Sequence, residues 1–151
     1  MTLNNTTIIL AVGLIIFALA LSACNNHKKQ QEQLQQEVIS IHDTVMKKMG
    51  TLMERKLTIN HILSRLDSLK STNSELDTAK TRTELTQIRE ELVSADDQMM
   101  TWMHNFNPEY TDKSHEEIMT YLNEQKEKII TVESSFKGVI LKSDSVIAEY
   151  K

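Results

Sequence analysis

The chain has 151 residues, 25% of them charged, with 17 basic and 21 acidic side chains for a net charge of −4. Its size fits one domain, and no basic stripe with interleaved aromatics is present, which excludes a nucleic-acid reading. Three Gly, one Pro and a single Cys leave few turns, no intrachain disulfide and no cysteine-based zinc site, so long helices held by packing are expected.

The first element is an apolar run from Ile8 to Ala23. Sixteen residues fall short of the roughly 20 that cross a bilayer, but suit the core of a secretory signal. The run ends in Leu21-Ser22-Ala23-Cys24. A leucine three before a cysteine, with two small residues between, resembles the lipobox of bacterial lipoproteins. That resemblance implies removal of residues 1–23, a diacylglyceryl group on the Cys24 thiol and an acyl chain such as palmitate on the new amine. The first seven residues carry no Lys or Arg, a departure from the usual charged start. Residues 24–32 are polar and amide-rich and read as a tether. By the sorting rules of such lipoproteins, Asn25 is not the Asp that retains a protein at the inner membrane. A basic tether is also not the acidic one of surface-exported forms. The expected address is the outer membrane, facing the periplasm.

Three amphipathic helices follow, at about 33–70, 73–106 and 114–150. In the last, Ile118, Leu122, Gln125, Ile129, Val132, Phe136, Val139, Ser143, Val146 and Tyr150 step by four and three throughout. Leu85, Ile88, Leu92, Ala95, Met99, Trp102 and Phe106 do the same in the middle. In the first, Val38, Ile41, Val45, Leu52, Ile59, Ile62, Leu66 and Leu69 hold the pattern, with Lys48 and Arg55 interrupting it. Such spacing places one apolar stripe on each helix, whereas a strand would need alternation by two. Asn107-Pro108 ends the middle helix, and Ser114 with Glu117 forms a capping box for the last. Thr72 with Glu75, or Thr81 with Glu84, offers a cap for the middle helix; the earlier start matches the three seams in length. The expected fold is all-α, an antiparallel up-down-up bundle of three long, coiled-coil-like helices covering residues 33–151. A parallel coiled-coil homo-oligomer is the competing use of the same heptads.

No Gly-rich phosphate loop, Gly-x-Ser-x-Gly elbow or HExxH pair is present, so no enzymatic activity is expected. One cluster carries possible chemistry. Met46, Met49 and Met53 follow His42 on one helical stripe, and Met99, Met100 and Met103 surround Trp102 and His104. A turn near Thr72 pairs residues whose numbers sum to about 144, which sets His42 level with Trp102 and Met46 with Met99. Ile118, Met119 and Tyr121 join the same layer from the last helix. His42, Met46, Met49, Met99 and Met103 are a candidate soft-ligand set for copper as Cu(I), or for haem. Against this stands the ordinary use of Met as a flexible core filler around Trp102, or as an adaptable partner-binding surface. His61 and His115 read as solvated helix residues, His27 as part of the tether, and Asp43 as a group that would orient a buried His42.

The segments Ile41-His42-Asp43-Thr44-Val45-Met46-Lys47-Lys48-Met49-Gly50 and Met99-Met100-Thr101-Trp102-Met103-His104-Asn105-Phe106 resemble a family of small bacterial lipoproteins often labelled "viral A-type inclusion protein". The resemblance covers most of the mature chain. It implies an all-helical periplasmic lipoprotein and brings no catalytic residues. The functional expectation is therefore a lipid-anchored envelope protein with a structural or protein-interaction role, its protein partner unspecified and its membrane contact made through Cys24.

Overall fold

A computed structural model describes the backbone of residues 5–150 and the side chains of residues 26–150. Among the described residues four helices account for the fold: α1 (Asn5–Ser64), α2 (Leu66–Thr72), α3 (Thr78–Asn105) and α4 (His115–Ala148). Among the described residues there is no strand. The side chains of the expected signal segment, and that of Cys24, lie outside the described residues. No helix is long and apolar enough to cross a membrane among the described residues.

The seams are buried as the four-three spacing requires. On α1 the buried Val38, Val45, Leu52, Ile59 and Leu34 lead to Leu66 at the start of α2. On α3 every seam residue from Leu85 to Trp102 is buried, and on α4 every one from Ile118 to Val146. Phe106 and Tyr150, at the seam ends, are half-buried and pack against the core. A seven-residue recurrence brings a side chain back to nearly the same side of a helix after two turns, so each helix offers a continuous apolar edge to its neighbours. Lys48 and Arg55, which break the α1 pattern, reach α4 instead: Lys48 pairs with Glu133 at 3.8 Å and Arg55 with Asp144.

Polar contacts along the seams fix the register. Between α1 and α4 the pairs are Glu37 with Lys126 at 2.6 Å, Lys48 with Glu133 and Arg55 with Asp144, their numbers rising together. Between α1 and α3 they are His42 with Trp102 and Lys56 with Asp96, numbers rising on one and falling on the other. Glu91 with Lys142 and Thr81 with Tyr150 relate α3 to α4 in that same opposed sense.

The connections depart from the expected bounds at three places. The polar segment 24–32, expected as a tether, is helical and continuous with the rest of α1. The first long helix breaks at Arg65 (φ −110°, ψ 8°), where the backbone tightens to an Arg65 N–H to Ile62 C=O bond of 3.0 Å. The third element starts at Thr78 and not at 73. Its cap is Asp77, whose Oδ1 accepts from the N–H groups of Ala79 at 3.1 Å and Lys80 at 3.0 Å. Asp is a stronger N-cap than the Thr72 or Thr81 expected there. Asn73 turns the chain first, its Oδ1 accepting from Glu75 N–H at 3.2 Å, while Lys70 donates to the carbonyls of Ser74 and Leu76.

The second connection follows the expected chemistry. Asn107 Oδ1 accepts from Glu109 N–H beyond Pro108, and Tyr121 Oη accepts from Asn107 N–H, each at 2.8 Å. Asp112 takes the left-handed conformation (φ 66°), which short polar side chains tolerate. Ser114 and Glu117 then close the capping box in both directions.

Candidate functional site

The level predicted for His42 and Trp102 is realised. Their ring centroids lie 5.7 Å apart, with His42 on α1 and Trp102 on α3. Trp102 stacks on Phe106 at 4.9 Å, Phe106 faces Tyr121 of α4 at 6.3 Å, and Tyr121 meets Tyr110 edge-on at 6.0 Å. Aromatic rings from α1, α3, the connection and α4 thus run in one chain across the end of the bundle where Asn107-Pro108 turns it. Each such contact contributes on the order of 0.5–1.5 kcal/mol beyond area burial. The two segments quoted above for their family resemblance meet at this His42–Trp102 contact.

The methionines of the layer grade from inside to outside. Met99 is fully buried, and Met49 and Met103 are half-buried against the same core. Met46, Met53 and Met100 are 38%, 48% and 55% exposed. That gradient is what a helix seam gives when viewed from its centre outward, and it needs no closed set of soft donors. His42 is half-buried, its Nδ1 2.9 Å from Oδ1 of Asp43, so Asp43 does orient the ring although it stands in solvent itself. Among the described residues, no group of three or more His, Cys, Asp and Glu side chains is placed to hold a metal ion.

His27 and His115 show a contact that spacing alone did not reveal. Their rings stack at 4.0 Å with planes 5° apart, and His115 Nδ1 lies 3.1 Å from Gln31 Nε2. The helical continuation of the expected tether brings them together, fastening the beginning of the polar segment to the start of α4. His61 is exposed, in line with the solvated role expected of it, whereas His115, expected to be solvated too, is half-buried by its stack on His27.

A concavity that shares Trp102 with this layer lies between α3 and α4. Ser94, Asp97, Gln98, Thr101, Trp102 and Asn105 line it from α3, and Gln125, Lys128 and Val132 from α4, around about 540 Å³. That volume lies within the range of small-molecule sites, and although most lining residues are polar, most of the exposed lining surface is apolar. Two of its residues are polar side chains held in the packed interior. Trp102 is 6% exposed, and its buried Nε1–H has no hydrogen-bond partner. Gln125 is 5% exposed at a seam position, where an apolar residue would continue the stripe of Leu122 and Ile129. The other buried polar side chains are satisfied: Ser143 Oγ donates to Ile140 C=O at 2.7 Å, and Thr81 Oγ1 lies 3.3 Å from Tyr150 Oη. An unpartnered buried donor costs on the order of 1–3 kcal/mol. Gln125 in the seam was the only signal of this groove in the sequence.

Three titratable groups at the edges of the bundle are shifted by their surroundings. The Lys142 ammonium bonded to Glu91 holds that carboxyl below the usual range, and the Ser114 N–H does the same for Glu117. Burial pushes the Tyr110 hydroxyl up, and its Oη has no hydrogen-bond partner. Comparison with protein-family profiles, with curated proteins and with solved structures finds no match to this chain.

Proposed function

We propose that this chain is a lipid-anchored protein of the bacterial envelope, held to the outer membrane through acylated Cys24 and facing the periplasm. Its role is non-catalytic, structural or in protein interaction. The observation that carries the reading is Leu21-Ser22-Ala23-Cys24 directly behind the apolar run Ile8–Ala23. A helix-forming polar segment after the cysteine would hold the packed body away from the lipid surface. One acyl chain gives only marginal membrane binding, so the two or three chains of a mature lipoprotein are what make such an anchor stable.

The body itself is read as an antiparallel up-down-up bundle in which α1 and α4 run alike and α3 runs against both. Contact numbers that rise together from α1 to α4, and oppose one another at α3, support that arrangement. The resemblance of its two motifs to the small lipoproteins labelled "viral A-type inclusion protein" agrees with the same reading. A bundle with an open groove and several partly exposed methionines suits recognition of another molecule better than bond making.

Metabolic labelling with a palmitate analogue tests the anchor. The native chain should take up label and fractionate with the outer membrane, and Cys24→Ser should lose the label and accumulate as unprocessed precursor. A Cys24→Ser protein with unchanged labelling, processing and fractionation contradicts the proposal.

A further inference from the structure

Five of the six large apolar side chains exposed among the described residues belong to one strip: Met46, Met53, Leu57, Val93 and Met100. The strip follows the outer edge of the α1–α3 seam. On α1, His42, Met46, Met49, Met53 and Lys56 step by four and three, and both ends of the run touch α3, His42 at Trp102 and Lys56 at Asp96. On α3, Val93, Asp96, Met100 and Met103 step by three and four and share the contact at Asp96. The methionines of each run alternate between an inner and an outer row. Met49 and Met103 are half-buried against the core, while Met46, Met53 and Met100 are exposed.

Gly50 leaves this strip uncovered. It stands four residues after Met46 and three before Met53, and a Cβ at this position would meet no neighbouring side chain within 4 Å. A glycine in mid-helix is unfavourable, and neither a left-handed backbone nor a close approach demands one here. A helical side chain lies over the turn on its N-terminal side, so a longer residue at position 50 would cover the Met46 thioether. Local departures from what stability alone selects mark functional positions.

We infer that the outer α1–α3 seam is a site of methionine sulfoxide formation, with a peroxide as the oxidant. Met46, Met53 and Met100 are the thioethers that react. Each sulfur takes one peroxide oxygen: the O–O bond breaks, an S–O bond forms and sulfur gives up two electrons. With hydrogen peroxide, the other oxygen leaves with both protons as water. The resulting sulfoxides are polar and stand in solvent, so this first stage leaves the bundle folded. A second stage reaches Met49 and Met103, where a half-buried sulfoxide loosens the seam. Met99 is fully buried and reacts only when the bundle opens. The outer row thus consumes oxidant before the packed seam is harmed, and none of this depends on lipidation of Cys24.

The test treats the full chain in detergent micelles with hydrogen peroxide at neutral pH and follows each methionine by peptide mapping. Met46, Met53 and Met100 should convert at least about tenfold faster than Met99, with Met49 and Met103 between. In denaturant the rates should level out. The melting midpoint should stay nearly unchanged once the outer three are sulfoxides, and should fall after Met49 and Met103 follow. Gly50→Gln, which favours helix, should slow Met46 about threefold and leave Met100 unchanged. Sulfoxide reductases for both epimers, fed with a dithiol, should return the outer thioethers. Outer methionines that react no faster than Met99 in the folded chain, a bundle that melts with only those three oxidised, or an unchanged Met46 rate in Gly50→Gln would each overturn the inference.

Discussion

Met99 and Met46 were expected at one level of the bundle, yet their environments differ completely. Met99 is fully enclosed, so Met99→Ala should destabilise the protein by about 2–5 kcal/mol through lost contacts and the cavity left behind. Met46 is 38% exposed, and Met46→Ala should change stability by no more than about 0.5 kcal/mol. Chemical denaturation followed by circular dichroism reads both; equal losses would mean that the inner and outer faces of the layer are misassigned. At this scale the sequence was a good guide wherever one stripe decided the outcome, as along Leu85 to Trp102. Spacing could not rank Met46 against Met49, because neighbouring stripes differ only by how closely two helices approach. The Trp102 donor was equally hidden. Whether an indole N–H finds a partner depends on atoms from other helices that one-dimensional spacing does not place.

Helix ends carry their own test. The Glu117 carboxyl is held below the usual range by the Ser114 N–H, with the Ser114 hydroxyl as second cause. Folding therefore favours the ionised form. The stabilisation is present above the ordinary glutamate value of about 4.3 and is lost as pH falls through the lower folded value. Glu91, held down chiefly by Lys142, adds a contribution of the same sign. Thermal melts between neutral pH and pH 3 should show the midpoint falling on acidification. In Glu117→Gln the fall should be shallower; an unchanged slope in that variant and in Glu91→Gln would show that neither carboxylate is linked to folding. The capping box at Ser114 was legible because Ser and Glu occupy both reciprocal positions. Asp77 was not, since Lys80 stands where a capping-box Glu would be, while Thr72–Glu75 and Thr81–Glu84 both offered that pattern nearby. The break at Arg65 had no signal either. No Gly or Pro stands there, and the apolar spacing from Ile62 to Leu66 continues across it.

For the whole molecule, a few contacts between distant residues record how the helices are set against one another. His42 against Trp102 realises the level set by a turn near Thr72, whereas Lys56 with Asp96 sums to a larger number and records the later turn at Asn73–Asp77. The helical class and the buried faces were legible because four-three spacing acts within each helix; the number of helices was not, since the break at Arg65 makes four where three were expected. The α3–α4 groove was not, because it depends on where two facing helices lack bulk, a property of pairs of residues far apart in sequence. Position in the cell rests on a different kind of reading, the four residues ending at Cys24, and the account stands or falls there. The most direct test is the intact mass of the protein purified from its own membrane, with fragmentation of its N-terminus. The account predicts a chain that begins at Cys24, lacks residues 1–23 and carries the added mass of a diacylglyceryl group and, on the amine, a further acyl chain. A chain that still begins at Met1 and bears an unmodified Cys24 thiol would contradict it.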